Sequence, residues 1–152
     1  MTENIKVLFL SSEVMPFAKT GGLADVAGSL PVALKRAGVD VRLVLPFYRV
    51  IREASYENRV LIRELEVPFG ERMLKIDIFE TFLAGEIPVY LVEREDMFDR
   101  PGLYGNSKGD YYDNLERFSL FCHAALRTTQ AAGFSPDIIH CHDWQTGLVP
   151  AL

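Results

Sequence analysis

An apolar run, Ile5 to Leu10, leads through a glycine-bearing turn into Leu23, Val26, Ala27, Leu30, Ala33 and Leu34, which recur at helical spacing. A second apolar run follows: Val41, Leu43, Val44 and Leu45. Strand, helix and strand with so short a crossover imply a parallel, right-handed βαβ unit, and with it an α/β fold. The pattern predicts a strand over Ile5–Ser11, a helix over Leu23–Ala37 ended by Gly38, and a strand over Asp40–Pro46. The first strand–helix turn contains Lys19-Thr20-Gly21-Gly22-Leu23-Ala24-Asp25-Val26. In an α/β sheet it lies at the carboxyl end of the strands, where ligands bind. Glycines there let a ligand approach the backbone, and the first N–H groups of a helix favour an anion. A lysine adds a full positive charge. One reading is therefore a phosphate or diphosphate site. The other is a tight turn with an incidental lysine. Spacing leaves both open, because Gly21-Gly22 followed by Gly28 does not fit G-x-G-x-x-G and no G-K-[ST] occurs.

The chain has 152 residues, enough for one domain with a real core. Its net charge of -5 and its lack of a Lys/Arg cluster argue against a nucleic-acid partner. Met1–Asn4 carries no basic region of the secretory kind, and no apolar run approaches membrane-spanning length. The expectation is a cytoplasmic protein with no membrane partner. Cys122 and Cys141 lie far apart and make no metal or redox spacing, so they read as reduced, mostly buried thiols.

The middle of the chain changes character. Val60–Val67, Met73–Leu83 and Pro88–Val92 read as short strands joined by turns at Phe69–Arg72 and Ala84–Glu86, an antiparallel excursion between parallel units. Arg49–Ser55 reads as one or two helical turns and Asp96–Tyr104 as a loop. Asp110–Thr129 reads as the longest helix, with Leu115, Phe118, Cys122, Ala125 and Leu126 on one face. Asp137–Cys141 is a further strand, and His142–Leu152 is expected to turn into another helix. Because the chain stops inside that expected helix, it reads as a fragment of a longer protein.

The last strand ends in polar groups, Ile138-Ile139-His140-Cys141-His142-Asp143-Trp144. By strand periodicity His140 and His142 share a face. They could ligate a metal with Asp143, or simply hydrogen-bond the backbone; no third well-placed ligand is evident. Asp143 starts a strand–helix turn at the same edge as Lys19. It reads equally as a helix cap or as a ligand-binding carboxylate. Trp144 can wall a pocket or simply pack.

Four motifs then match one family in its own order. Ser11-Ser12-Glu13-Val14-Met15-Pro16-Phe17-Ala18-Lys19-Thr20-Gly21-Gly22-Leu23-Ala24-Asp25-Val26 closely resembles the N-terminal signature of bacterial glycogen synthases and plant starch synthases. Asp99-Arg100-Pro101-Gly102-Leu103-Tyr104 resembles another of its segments, and Asp113-Asn114-Leu115-Glu116-Arg117-Phe118 resembles its D-N-x-x-R-F. Pro136-Asp137-Ile138-Ile139-His140-Cys141-His142-Asp143-Trp144-Gln145-Thr146-Gly147-Leu148 resembles its P-D-[VI]-[VI]-H-x-H-D-W-x-[TA]-G-L.

The resemblance implies half of a two-domain, Rossmann-like glycosyltransferase: a parallel sheet flanked by helices, with the antiparallel hairpin in its middle. Residues 1–152 would be part of the N-terminal, acceptor-side domain, without the C-terminal nucleotide-sugar domain and without a T-x-H-N motif. The implied reaction moves glucose from ADP-glucose to the non-reducing end of glycogen or another α-1,4-glucan, with retention and with no cofactor or metal. The sequence does not choose between ADP-glucose and UDP-glucose. By the same resemblance Lys19 neutralises the donor diphosphate near the Gly21 and Gly22 amides, and Asp25 faces the cleft. Tyr104 lies near the adenine, Asp143 serves catalysis and glucose placement, and His142 and Trp144 shape the sugar pocket. Asn114 hydrogen-bonds across the cleft, while Arg117 and Phe118 read equally as ordinary helix packing. Alternatives of other classes are a non-catalytic glucan- or nucleotide-binding fragment and a metal-dependent amidohydrolase built on His140-x-His142. The isolated chain is expected to be inactive and to self-associate through Leu148, Val149 and Leu152.

Overall fold

The structure is a computed structural model that describes residues 4–152. The reading of Met1–Asn4 rests on residues 1–3, which lie outside the described residues. Strands β1 (Lys6–Leu10) and β2 (Asp40–Pro46) pair in parallel around helix α1 (Gly22–Arg36), as the opening pattern predicts. Their apolar runs are continuous because both faces are covered, and Leu8, Phe9, Leu10, Leu43, Val44 and Leu45 are fully buried. The short helix α2 (Arg49–Glu53) leads into the antiparallel strands β3 (Arg59–Phe69) and β4 (Arg72–Leu83), and β4 returns into β5 (Ile87–Glu93). The two hairpin turns carry Gly70 and Gly85 at φ 59° and 75°, a region that side chains disfavour.

β5 is antiparallel to β4 on one edge and parallel to β2 on the other, so the excursion extends the main sheet instead of leaving it. After the short helix α3 (Glu95–Phe98), the two-residue strands β6 (Gly105–Asn106) and β7 (Gly109–Asp110) pair with each other. The long helix α4 (Asn114–Ala131) precedes β8 (Ile138–Cys141), which pairs in parallel with β1. The order across the sheet is β3-β4-β5-β2-β1-β8. Ion pairs Arg59–Glu80, Arg63–Asp77 and Lys75–Glu64 line the β3 edge, a charged border that discourages edge-to-edge pairing.

Five expectations need correction. The longest helix begins at Asn114 and not Asp110, which lies in β7, and the expected loop from Asp96 begins inside α3. His142–Leu152 is not a helix but two 3-10 turns, Trp144–Thr146 and Val149–Ala151. Pro150 has no N–H to continue an α-helix, and Gly147 weakens one. Leu115 is 77% exposed, so it is not on the buried face of α4, where Arg117, Phe118, Phe121, Cys122 and Ala125 lie. Val149 is buried, so of the residues expected to drive self-association only Leu148 and Leu152 remain exposed. Among the described residues no helix is long and apolar enough to cross a membrane.

Candidate active site

Because β1 and β8 pair in parallel with Leu10 opposite Cys141, the loops leaving them emerge side by side at one edge of the sheet. The β1 loop folds back on α1 through Met15, whose N–H donates to the Ala24 carbonyl at 3.0 Å. Gly28 permits that packing, since a Cβ there would lie 2.6 Å from the Met15 carbonyl oxygen.

The Lys19 ammonium lies 2.7 Å from each carboxylate oxygen of Asp25, in a pair that is about half exposed. A Cβ at Gly21 or Gly22 would meet nothing within 4 Å, so the chain's own packing does not require glycine at either position. Gly21 has no side chain to cap α1, and no side-chain cap is present. A cation, uncapped helix amides and open space thus share one turn, which is what an anion needs.

Sequence reading missed Glu13. Its carboxylate is only 4% exposed. One oxygen accepts from the Thr20 N–H at 2.7 Å and the Gly21 N–H at 3.1 Å. The other accepts from the Thr20 hydroxyl at 2.6 Å and the Tyr104 hydroxyl at 2.8 Å. Burial works to raise its pKa, but these donors more than offset it and hold it below the ordinary carboxylate value. The Gly21 amide is therefore engaged within the chain. The available signal was a lone carboxylate in the small and apolar run Ser11-Ser12-Glu13-Val14.

Tyr104 also sits 2.8 Å from the Ser12 hydroxyl. Burial, together with the neighbouring Glu13 carboxylate, pushes its pKa up, so the phenol keeps its proton. Two of the recognised segments interlock to hold it. Asn114 donates to the Tyr104 carbonyl at 2.9 Å and accepts from Arg117 at 2.7 Å. Arg117, fully buried, donates to the Met97 and Leu103 carbonyls at 2.6 and 2.9 Å. Arg100 grips both oxygens of Asp113 at 2.7 and 2.6 Å. Asn114 is thus engaged in shaping the Tyr104 loop.

On the β8 side, Asp143 has φ 63° and ψ −175°, a region taken almost only by glycine. Its carboxylate accepts from the Trp144 N–H at 2.7 Å, so it caps the first 3-10 turn. Trp144, 55% exposed, stands edge-on to Phe118 at 5.1 Å and tilted to Tyr104 at 6.1 Å. A groove of about 280 Å³ runs between α4 and this turn, lined by Asn114, Phe118, Cys122, Trp144 and Leu148 among others. His140 and His142 do share a face: both rings pack on Phe9, at 5.2 and 4.2 Å, and on each other at 4.2 Å. Burial, with His140 beside it, lowers the His142 pKa to about 4. Its Nε2 is buried without a hydrogen-bond partner among the described residues. Among the described residues no three His, Cys, Asp or Glu side chains converge as a metal ligand set.

Residues 6–152 match the family described as the starch synthase catalytic domain. The chain is 46% identical over 148 residues to a glycogen synthase of Geotalea uraniireducens (strain Rf4), covering 97% of this chain and 30% of that protein. It is 47% identical to a glycogen synthase of Geobacillus stearothermophilus, covering 97% of this chain and 29% of that protein. Among solved structures it is similar to the catalytic domain of starch synthase IV from Arabidopsis thaliana bound to ADP and acarbose. That likeness has a TM-score of 0.81 and 34% identity, over 97% of this chain and 29% of that one. The chain thus spans about 30% of the length of the curated relatives it matches.

Proposed function

The chain belongs to the starch synthase catalytic domain family, and on that premise we propose that it is the first part of the acceptor-side domain of a retaining glucosyltransferase. The reaction moves glucose from ADP-glucose to the non-reducing end of an α-1,4-glucan such as glycogen. The observation that carries this reading is the Lys19 turn, where an ammonium, uncapped amides of α1 and open space over Gly21 and Gly22 come together. As the glycosidic bond breaks, negative charge grows on the departing diphosphate, and a fixed cation there stabilises the transition state. The ADP bound to the similar starch synthase IV supports an adenine nucleotide donor over UDP-glucose.

The remaining roles follow the same reading. Asp143 orients the transferred glucose, with its carboxylate at the sheet edge shared with the Lys19 loop. Trp144 and His142 wall the sugar pocket, Tyr104 borders the adenine, and Asp25 holds Lys19 until the donor arrives. The complete enzyme works in the cytoplasm.

Alone, the 152-residue chain does not transfer glucose, because half a cleft neither excludes water nor aligns two substrates. Exposed Tyr112, Leu115, Trp144 and Leu148 favour its self-association. Incorporation of radiolabelled glucose into glycogen tests the reading. The full-length enzyme is expected to act with a chelator present and the isolated chain to be silent. Activity lost to the chelator and restored by zinc would favour a metal site at His140 and His142 instead.

A further inference from the structure

Glu13 is a buried carboxylate whose hydrogen-bond partners among the described residues include no cation. Its charge is balanced by four donors from two segments: the Thr20–Gly21 backbone with the Thr20 hydroxyl, and the Tyr104 hydroxyl, 91 positions from Glu13. Each oxygen takes two donors, so the side chain cannot rotate without breaking all four. Such an anion orders what surrounds it, because leaving it unsatisfied in a buried site is costly.

We propose that Glu13 is the positioning residue of the anion site: it locks the Thr20–Gly21 backbone so that Lys19 and the first amides of α1 face one ligand, and it couples that turn to Tyr104. Naming that ligand as a nucleotide-sugar diphosphate rests on the glucosyltransferase reading above; the locking and the coupling do not. The coupling continues beyond Tyr104, whose carbonyl accepts from Asn114, which is itself held by Arg117. Helix α4 is thereby linked through Tyr104 and Glu13 to the Lys19 turn. Because the Gly21 N–H already donates to Glu13, the ligand's phosphate is directed onto Lys19 and the amides that follow Gly21.

The test uses amide hydrogen exchange, residue by residue, in the 152-residue chain. Glu13→Ala is expected to speed exchange at Thr20 and Gly21 by about tenfold or more, the scale of losing hydrogen bonds to a charged acceptor. Tyr104→Phe is expected to speed the same two amides by a smaller factor, since it removes one of four donors from the far segment. Glu13→Gln should keep most of the protection. Its oxygen can face the two backbone amides while its NH2 faces the two hydroxyls, which can accept. Core amides of Phe9 and Leu10 should not change in any variant.

Unchanged exchange at Thr20 and Gly21 in Glu13→Ala would overturn the proposal. So would an equal rise at Phe9 and Leu10, which would reduce Glu13 to a contributor to global stability. In the full-length enzyme, Glu13→Ala should raise the KM for ADP-glucose and lower kcat, each by about tenfold, with the glucan KM unchanged and Glu13→Gln close to wild type. A wild-type enzyme that transfers no glucose would defeat the glucosyltransferase reading, while the exchange measurement would still decide the role of Glu13.

Discussion

The Lys19 ammonium sits 2.7 Å from both oxygens of the Asp25 carboxylate, one turn into the helix that its own loop begins. The pair is about half exposed, and exposed ion pairs contribute roughly 0–1 kcal/mol. On the proposed reading, the ligand is a donor diphosphate, which carries more charge than one carboxylate and would take the ammonium from Asp25 at small cost. Lys19→Gln in the full-length enzyme is therefore expected to leave the melting temperature nearly unchanged. It should lower turnover about a hundredfold or more, the loss of about 2–4 kcal/mol of transition-state stabilisation. Steady-state kinetics beside a thermal melt checks both halves. An unchanged rate would return the segment to a tight turn with an incidental lysine.

Asp143 holds a backbone conformation, φ 63° and ψ −175°, that costs a non-glycine residue about 1–3 kcal/mol. A position chosen only for capping would not need that strain. Asp143→Gly is expected to relieve it and to raise or preserve the melting temperature despite loss of the Trp144 N–H bond, yet to abolish transfer. Asp143→Asn keeps an acceptor for that N–H and should fold normally while losing nearly all activity. Near-normal transfer by the Asn variant would limit Asp143 to its capping role.

The parallel half of the fold was legible because it is written in contiguous residues. β1, α1 and β2 announce themselves by unbroken apolar runs, helical spacing and glycine turns, and they lie within a residue or two of their expected bounds. The post-β8 segment misled because its apolar residues mimic a helix, while Asp143, Gly147 and Pro150 act through backbone geometry. Leu115 misled for a similar reason: at 77% exposed it continues an apolar pattern on a face that the described residues leave open. Glu13 and the use of Asn114 were invisible because their partners lie far away in sequence or on the backbone. Local periodicity carries no signal for such pairings.

Arg117 offers a second test of how the Tyr104 loop is held. Its guanidinium is fully buried, donates to the Met97 and Leu103 carbonyls and to Asn114, and packs against the rings of Phe98, Tyr111 and Phe118. Arg117→Met leaves buried acceptors without donors and is expected to cost about 3 kcal/mol or more. Arg117→Lys should recover little of this, since an ammonium lacks the planar fork that spans three acceptors. Urea unfolding of the three proteins measures it. A lysine variant as stable as wild type would show that charge alone, without the fork, holds the loop.

His142 sets a pH window for stability. Its pKa is lowered from 6.5 to about 4, chiefly by burial and then by His140. The unfolded chain takes up a proton at this side chain below about pH 6.5, and the folded chain does so only near pH 4. Stability is therefore full above about pH 6.5 and falls progressively as pH drops toward 4. Glu13 titrates on a different scale. Its pKa is held below the ordinary 4.5, so its contribution is lost only at still lower pH. Urea midpoints at about pH 7 and about pH 5 should therefore differ for the wild type. The difference should shrink in His142→Gln, which has no proton to take up. A wild-type midpoint that stays flat between those two values would mean that the His142 ring does not pay a desolvation penalty on Phe9.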